Sequence, residues 1–289
     1  MIPRVYLSTL LATVFWGANF VLAGPILHDL PPLWAASLRF GFGTLIMLLW
    51  SFRHMRAMFA MASRHLPVYL LAGALGIGGF NLLFFTALQT TSSTNAALVM
   101  ATNPLLTTLL AALLLGERPS TIWLFSIPLA LSGVILVITD GHPARLLQLD
   151  IVRGDWLMLG ANLAWAGYNL LTRRLPREST LINTTLLMGT GTLMLLCAAF
   201  YSGQPLTLPG WQGGLALAVM VTAGTVVAYM LWNHSIAELG AARTALFLNL
   251  VPVFAMLTAS LLGQLPNLIQ LGGGALVIGS VMLSMWRKT

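Results

Sequence analysis

Residues 5–24 read VYLSTLLATVFWGANFVLAG, a run of twenty residues without a charged side chain. An α-helix of about 20 apolar residues is long enough to cross the ~30 Å hydrocarbon core of a bilayer. The run is longer than the apolar part of a signal peptide, and it has a counterpart in the second half of the chain. We therefore expect residues 5–24 to form an uncleaved first transmembrane helix.

Runs of this kind recur along the whole chain. Hydrophobic residues make up 58% of the 289 positions and charged residues 7%, whereas a soluble domain carries about 25% charged residues. No stretch alternates apolar and polar residues as a membrane β-barrel requires. The pattern predicts an all-α membrane protein with ten transmembrane spans, at residues 5–24, 33–52, 66–88, 94–115, 120–138, 154–172, 181–201, 211–233, 240–262 and 266–286.

Basic residues are unevenly distributed between the two sides that these spans define. If both termini are cytoplasmic, 11 of the 14 Lys and Arg residues lie on that side, including the basic break at 53–65, and only Arg39, Arg145 and Arg153 lie on the other. This positive-inside bias predicts cytoplasmic N- and C-termini, in a bacterial inner membrane. Because the charges lie in short loops, the net charge of +7 does not indicate a nucleic-acid partner.

The two halves of the chain, residues 1–139 and 150–289, match each other at a nearly constant spacing. The matching pairs are Trp16 and Trp165 (149 residues apart), Asn81 and Tyr229 (148), Pro104 and Pro252 (148), and Leu-Gly-Glu-Arg-Pro at 115–119 and Leu-Gly-Gln-Leu-Pro at 262–266 (147). Five spans per half is an odd number, so the second copy enters the membrane from the opposite side. Inverted repeats of this kind are typical of alternating-access transporters, which bind substrate near the midplane.

Several motifs follow one another in a distinctive order. They are Phe15-Trp16-Gly17-Ala18-Asn19-Phe20, Leu38-Arg39-Phe40, Asn103-Pro104, the Leu-Gly-Glu-Arg-Pro pentapeptide and Ser132-Gly133-Val134. Together they resemble the bacterial drug/metabolite transporter superfamily, and most of all its ten-helix EamA-domain proteins. That family includes exporters of amino acids, among them an aromatic amino-acid exporter type (YddG-like), and carriers of other metabolites. The resemblance implies the fold and transport, and leaves the substrate open.

Polar and aromatic residues inside the predicted spans are the first candidates for a transport path, because polar groups are costly in lipid. On the sixth span, Trp165 and Asn169 are four residues apart and share one helical face. The alternative is that each Asn hydrogen-bonds between helices and fixes their packing. The predicted substrate-binding residues are Trp16, Asn19, Asn81, Asn103, Trp165, Asn169, Tyr229 and Asn249.

Two prolines lie inside predicted spans, Pro104 in the fourth and Pro252 in the ninth. Proline removes a backbone hydrogen bond and kinks a helix, so these positions are predicted to bend as gates. Two charged or titratable residues are weaker candidates. Arg39 could attract a substrate carboxylate or extend its side chain to the interface, and His234 could accept a proton or lie in the interface.

The predicted lining offers amides, indoles and a phenol, with no cation at the midplane. Phosphorylated sugars normally require Lys or Arg, so a neutral zwitterion such as an amino acid fits better. Drugs, other metabolites or a sugar-phosphate-type substrate are alternatives, and a channel is a further one. No catalytic or metal-binding motif occurs, so we expect no enzyme activity and no cofactor or metal. We expect a monomer in the lipid bilayer that binds a small molecule.

No Asp or Glu lies in the middle of any predicted span. Carriers driven by protons or cations usually place a carboxylate there to bind the coupling ion. We therefore predict a uniporter, and we expect collapse of a pH gradient across proteoliposomes to leave substrate transport unchanged. Strict dependence of transport on that gradient would contradict uniport.

Overall fold

The computed structural model describes residues 4–91, 96, 99–117, 121–139, 142, 152–177 and 179–286. Within these residues every regular element is helical and there is no strand, which confirms the predicted all-α class. The α-helices are α1 (Arg4–Asp29), α2 (Pro32–Ser51), α3 (Met55–Gly73), α4 (Phe80–Ala87), α5 (Asn103–Leu115), α6 (Trp123–Ile138), α7 (Arg153–Arg173), α8 (Thr180–Tyr201), α9 (Trp211–Val221), α10 (Ala228–Leu239), α11 (Ala241–Leu246), α12 (Leu250–Leu261) and α13 (Leu268–Trp286).

Five stretches of the described chain are long and apolar enough to cross a membrane. They are Arg4–Asp29, Pro32–Ala87, Thr180–Tyr201, Trp211–Leu239 and Ala241–Leu261, and shorter apolar helices occupy Asn103–Leu115, Phe125–Ile138 and Leu268–Leu283. Large apolar side chains such as Leu49, Leu113 and Leu261 are exposed on this bundle, as a lipid-facing surface requires. The count of ten spans stays a prediction.

The break between spans predicted at residues 53–65 is helical in the structure and is not an irregular loop. A 3₁₀ turn at Phe52–His54 leads directly into α3. Within α3, His65 has non-helical dihedral angles, with φ −126° and ψ 19°. Pro67 follows two residues later, and proline disfavours helical geometry in the residue before it and removes a backbone hydrogen bond. The helix therefore kinks close to the proline instead of ending in a loop.

Two π-helical segments interrupt the helices that would form the third and eighth spans. The first, Ala74–Gly79, connects α3 to α4, and the second, Thr222–Val227, connects α9 to α10. They begin 148 residues apart, which is the spacing that relates the two halves of the sequence. π-Helical turns are rare and are frequently found at functional sites.

The glycines of the two matching pentapeptides also have matching geometry. Gly116 follows the end of α5 with φ +67°, and Gly263 follows the end of α12 with φ +89°. Positive φ costs little only for glycine, which is why glycine commonly ends a helix in this conformation.

The helices of the two halves interlock. Each of the most extensive helix contacts joins one helix from residues 1–139 to one from residues 150–289. These pairs are α1 with α9, α10 and α12; α2 and α3 with α8; α4 and α5 with α7; α5 with α11; and α6 with α13. Neither half therefore packs as a separate unit, and residues near the contact surface are supplied by both.

Close packing of α6 on α13 depends on two glycines. A Cβ added at Gly273 would lie 2.8 Å from the Gly133 carbonyl oxygen, whereas one added at neighbouring Gly272 would contact nothing within 4 Å. We expect Gly273→Ala to lower the free energy of unfolding in detergent by about 1–3 kcal/mol, because the helices must separate. Gly272→Ala is the matched control and should leave the melting temperature unchanged or slightly raised. Equal melting temperatures for the two variants would contradict this account.

Candidate functional site

Five aromatic side chains form a buried cluster between α1, α7 and α10. We call Trp16, Trp165, Tyr168, Tyr229 and Trp232 the central aromatic cluster. The Trp16 ring centroid lies 5.4 Å from that of Trp165, 5.6 Å from Tyr229 and 4.9 Å from Trp232, and Trp165 stacks on Tyr168 at 5.1 Å. The structure thus brings together three residues predicted from the sequence, Trp16, Trp165 and Tyr229.

The second π segment supplies a backbone acceptor to this cluster. The Gly224 carbonyl accepts one hydrogen bond from Trp16 Nε1 (3.0 Å) and another from Arg39 Nη2 (3.0 Å). Arg39 Nε also donates to Thr225 Oγ1 (2.7 Å). Arg39 therefore extends toward the middle of the bundle, and not toward the helix end as a snorkelling side chain would.

Hydrogen bonds to neighbouring side chains fix the orientation of rings in the central aromatic cluster. Trp232 Nε1 donates to Asn169 Oδ1 (3.0 Å), and the Tyr168 hydroxyl donates to Asn233 Oδ1 (2.7 Å). Asn233 Nδ2 in turn donates to Thr184 Oγ1 (3.0 Å). These bonds hold the rings in defined orientations.

One donor of the cluster and one donor beside it are left without an acceptor in the described part of the chain. They are Trp165 Nε1 and Asn169 Nδ2, both on buried side chains of α7. Buried polar groups in native proteins nearly always have a hydrogen-bond partner, and each unpaired one costs about 1–3 kcal/mol. Since these residues are four positions apart on one helical face, both donors could meet the same acceptor group.

Sequence reasoning missed Trp232, Tyr168 and Asn233. Trp232 lies three residues after Tyr229 and Tyr168 three residues after Trp165, so both follow the helical spacing of residues that were predicted. That spacing was the available signal. Pairing of Tyr168 with Asn233 could not be found in this way, because it joins two helices.

A small cavity of about 40 Å³ lies between α1, α2, α4 and α9. Arg39, Asn81 and Phe85 contribute to its lining, which is otherwise mostly apolar. Asn81 Nδ2 donates to the Ile77 carbonyl within the first π segment (2.7 Å). The predicted residue Asn81 therefore also stabilises an irregular helix.

Asn103 lies outside the central aromatic cluster. Its Nδ2 donates to Asn162 Oδ1 (2.5 Å) and to the Asn162 carbonyl (3.1 Å), and its Oδ1 accepts from Thr107 Oγ1 (3.0 Å). Its hydrogen-bonding capacity is thus used in attaching α5 to α7. This geometry favours the packing role that the sequence left as an alternative.

The remaining predicted residues lie at other places in the bundle. Asn249 is buried in a 3₁₀ turn against α1, α5 and α6, and neither amide atom has a partner among the described residues. Asn19 lies against the backbone of Gly224, and His234 is exposed on α10.

Both predicted gate prolines occupy the first turn of a helix that follows a break. Pro104 is the second residue of α5, after a turn at Thr102, and Pro252 is the third residue of α12, after the 3₁₀ turn Phe247–Asn249. A helix break therefore precedes each of these prolines. Whether they move during transport stays a prediction.

Charged side chains also connect helices at their ends. Glu117 and Arg173 approach to 3.7 Å, and Arg173 also donates to the Ala237 carbonyl (2.5 Å). These bonds connect the ends of α5, α7 and α10. In the described residues no group of three or more His, Cys, Asp or Glu side chains could hold a metal ion.

The model of the EamA-like transporter family matches residues 3–139 and 152–286 of this chain. A Bacillus subtilis protein named "Uncharacterized transporter YyaM" is 34% identical over 96% of this chain and 92% of its own length. A Streptantibioticus cattleyicolor protein named "Probable terminal-alkyne amino-acid exporter" is 32% identical over 76% of this chain and 73% of its own. A Salmonella typhimurium protein named "Probable amino-acid metabolite efflux pump" is 28% identical over 96% and 93%.

A solved crystal structure is also similar to this chain. The TM-score is 0.80, and the match covers 97% of this chain and 96% of the other at 20% sequence identity. At this identity the similarity concerns the fold alone.

If Asn103 and Asn162 serve packing, their replacement should change stability and not substrate affinity. We expect Asn103→Leu to lower the melting temperature in detergent, with a coupling energy to Asn162→Leu of about 0.5–1.7 kcal/mol in a double-mutant cycle. Substrate KM should stay within about twofold. A raised KM at unchanged stability would instead place Asn103 in the substrate site.

Proposed function

Because the chain belongs to the EamA-like transporter family, we propose that it exports amino acids or similar small metabolites by alternating access around the central aromatic cluster. The chain is a multi-pass membrane protein, and its family and relatives are transporters rather than enzymes. In this proposal the chain crosses the bacterial inner membrane ten times, in two inverted halves with both termini in the cytoplasm. It works as a monomer and as a uniporter.

We place the substrate site here because of one observation. Two buried donors, Trp165 Nε1 and Asn169 Nδ2, have no acceptor in the described residues. An amino acid brings a carboxylate, which only accepts hydrogen bonds. Binding it here would satisfy both donors at once, and hydrogen bonds to a charged group contribute about 1.5–3 kcal/mol each.

The same site suits the rest of an amino acid. Faces of Trp and Tyr rings attract an ammonium group, and the cluster offers Trp16, Tyr229 and Trp232 for this purpose. Their apolar surface would also favour a large or apolar side chain. Since the rings are in mutual contact and buried, substrate binding must separate them. Separation of rings contributed by both halves is what an alternating-access movement would produce.

The position of the cluster supports a two-fold arrangement of the halves. Thr44 and Thr192 are 148 residues apart and share a buried hydrogen bond of 2.9 Å between α2 and α8. Trp16 and Trp165 are also counterparts and are in ring contact. Counterpart residues can touch only beside the axis that relates them. The proposed substrate site therefore lies on the axis, where transporters with inverted repeats bind their substrates.

The two halves differ at one hydrogen bond. Trp16 Nε1 donates to the Gly224 carbonyl of the second π segment, whereas its counterpart Trp165 Nε1 has no acceptor in the described residues. The counterpart of Gly224 is Gly76, 148 residues earlier in the first π segment. Such an unequal pair of contacts is expected of one of two alternating states.

Acidic residues give no sign of ion coupling in the described part of the chain. The four that are described, Asp29, Glu117, Asp155 and Glu238, all lie at or beside helix ends. None could bind a coupling ion in the middle of the bundle, which supports uniport. The names of two relatives refer to amino-acid export, and this favours amino acids over drugs as the substrate.

The test is uptake of a panel of radiolabelled amino acids by proteoliposomes. The wild type should take up one or more amino acids saturably. We expect Trp165→Phe, which removes the N–H donor and part of the indole ring but keeps an aromatic side chain, and Asn169→Leu each to raise KM about tenfold or more, because a charge-assisted hydrogen bond is lost. Trp165→Ala should abolish saturable uptake.

Trp156→Phe is the matched control, since Trp156 lies on the same helix and is 66% exposed. It should have the KM of the wild type. If no amino acid is taken up by folded wild-type protein, the proposed substrate class is wrong. If both Trp165→Phe and the control behave as wild type, the substrate binds elsewhere.

A further inference from the structure

Arg39 is a partly buried charged residue whose side chain points into the bundle. It lies seven residues after the start of α2, about two helical turns inside the helix. Its guanidinium carbon is 5.0 Å from the Phe40 ring centroid, and its hydrogen bonds go to the Thr225 hydroxyl and the Gly224 carbonyl. All of these partners are uncharged.

No carboxylate in the described residues neutralises this cation. The ion pairs found there join Arg173 to Glu117 and His28 to Asp29. A cation held inside a membrane-spanning bundle without a counter-ion is costly, and such residues commonly mark substrate or ion pathways. The charge of Arg39 therefore needs a reason beyond its present hydrogen bonds.

The need to stabilise the second π segment does not explain the charge of Arg39. The counterpart of Arg39 in the second half is Leu187, 148 residues later, which is fully buried and uncharged. The first π segment at Ala74–Gly79 nevertheless forms without an arginine at this position. A π segment in this fold thus does not require a guanidinium beside it.

The guanidinium also has unused hydrogen-bonding capacity. Arginine carries five N–H donors, and the two hydrogen bonds of Arg39 use two of them. The side chain lines the cavity of about 40 Å³ with Asn81 and Phe85. This cavity has room for a small polar group, and two parallel N–H donors of arginine match the geometry of a carboxylate.

We propose that Arg39 forms a second subsite, which binds the carboxylate of the substrate as it passes between the central aromatic cluster and the outer side of the membrane. The Gly224 carbonyl links the two sites, because it accepts hydrogen bonds from both Trp16 and Arg39. The subsite selects substrates that carry an anionic group. Its role in transport rests on the proposed function, whereas carboxylate binding at Arg39 does not.

The first experiment measures binding in detergent and does not require transport. Purified wild type, Arg39→Lys, Arg39→Gln and Arg56→Gln are titrated with phenylacetate and with phenylacetamide, and the rise in melting temperature gives the apparent Kd. Phenylacetate should stabilise the wild type more than phenylacetamide does. Arg39→Gln should weaken phenylacetate binding about tenfold or more and leave phenylacetamide unchanged. Arg39→Lys keeps the charge and should retain part of the preference.

Arg56→Gln is the control, because Arg56 is exposed on α3, away from the cavity. It should bind both compounds as the wild type does. Equal binding of both compounds by the wild type overturns the subsite, and so does an equal loss of both in Arg39→Gln.

The second experiment separates the subsite from the proposed function. Proteoliposome uptake is compared for an amino acid of the panel and its carboxamide. Arg39→Gln should reduce kcat/KM about tenfold for the amino acid and less than twofold for the carboxamide. If the wild type binds phenylacetate through Arg39 but takes up no amino acid, the subsite stands and amino-acid export is wrong.

Discussion

The hydrocarbon core of a membrane offers no hydrogen bonds, so every polar group in a spanning helix must find its partner inside the protein. The irregular places in this fold follow that constraint. Where the second π segment exposes the Gly224 carbonyl, Trp16 and Arg39 donate to it. Where the chain turns before α5, Asn162 donates to the Val99 carbonyl (2.6 Å).

The π segments and their glycines bring the halves together at the same places. A Cβ on Gly76 would overlap the Tyr168 ring, and one on Gly224 would overlap the Asn19 amide. Asn19 and Tyr168 are 149 residues apart and so are themselves counterparts. Each widened helix therefore receives a side chain from the opposite half. This exchange explains why the walls of the proposed substrate site come from both halves.

The site could be read from the sequence only in part. Trp16 and Trp165 were predicted because they are large aromatic residues at matching positions, and Tyr229 because it is a polar aromatic residue inside an apolar span; the three rings do meet. All the asparagines were predicted from the same signal, a polar residue in an apolar run, but their surroundings in the structure differ. Asn103 is saturated by Asn162 and Thr107, whereas one donor of Asn169 has no partner in the described residues. A polar residue in an apolar run does not reveal which neighbour reaches it from another helix.

The sequence by itself determined the helical class, the membrane setting and the matched spacing of the halves. These follow from composition, run length and order along the chain, which are local properties. Only the tertiary structure decided that residues 53–65 are helical, that Trp232 and Tyr168 join the cluster, and that Arg39 turns inward to Gly224. The reason is physical: Trp232 meets Trp16, and Arg39 meets Gly224, across two packed helices, and the residues of each contact lie more than a hundred positions apart in the sequence.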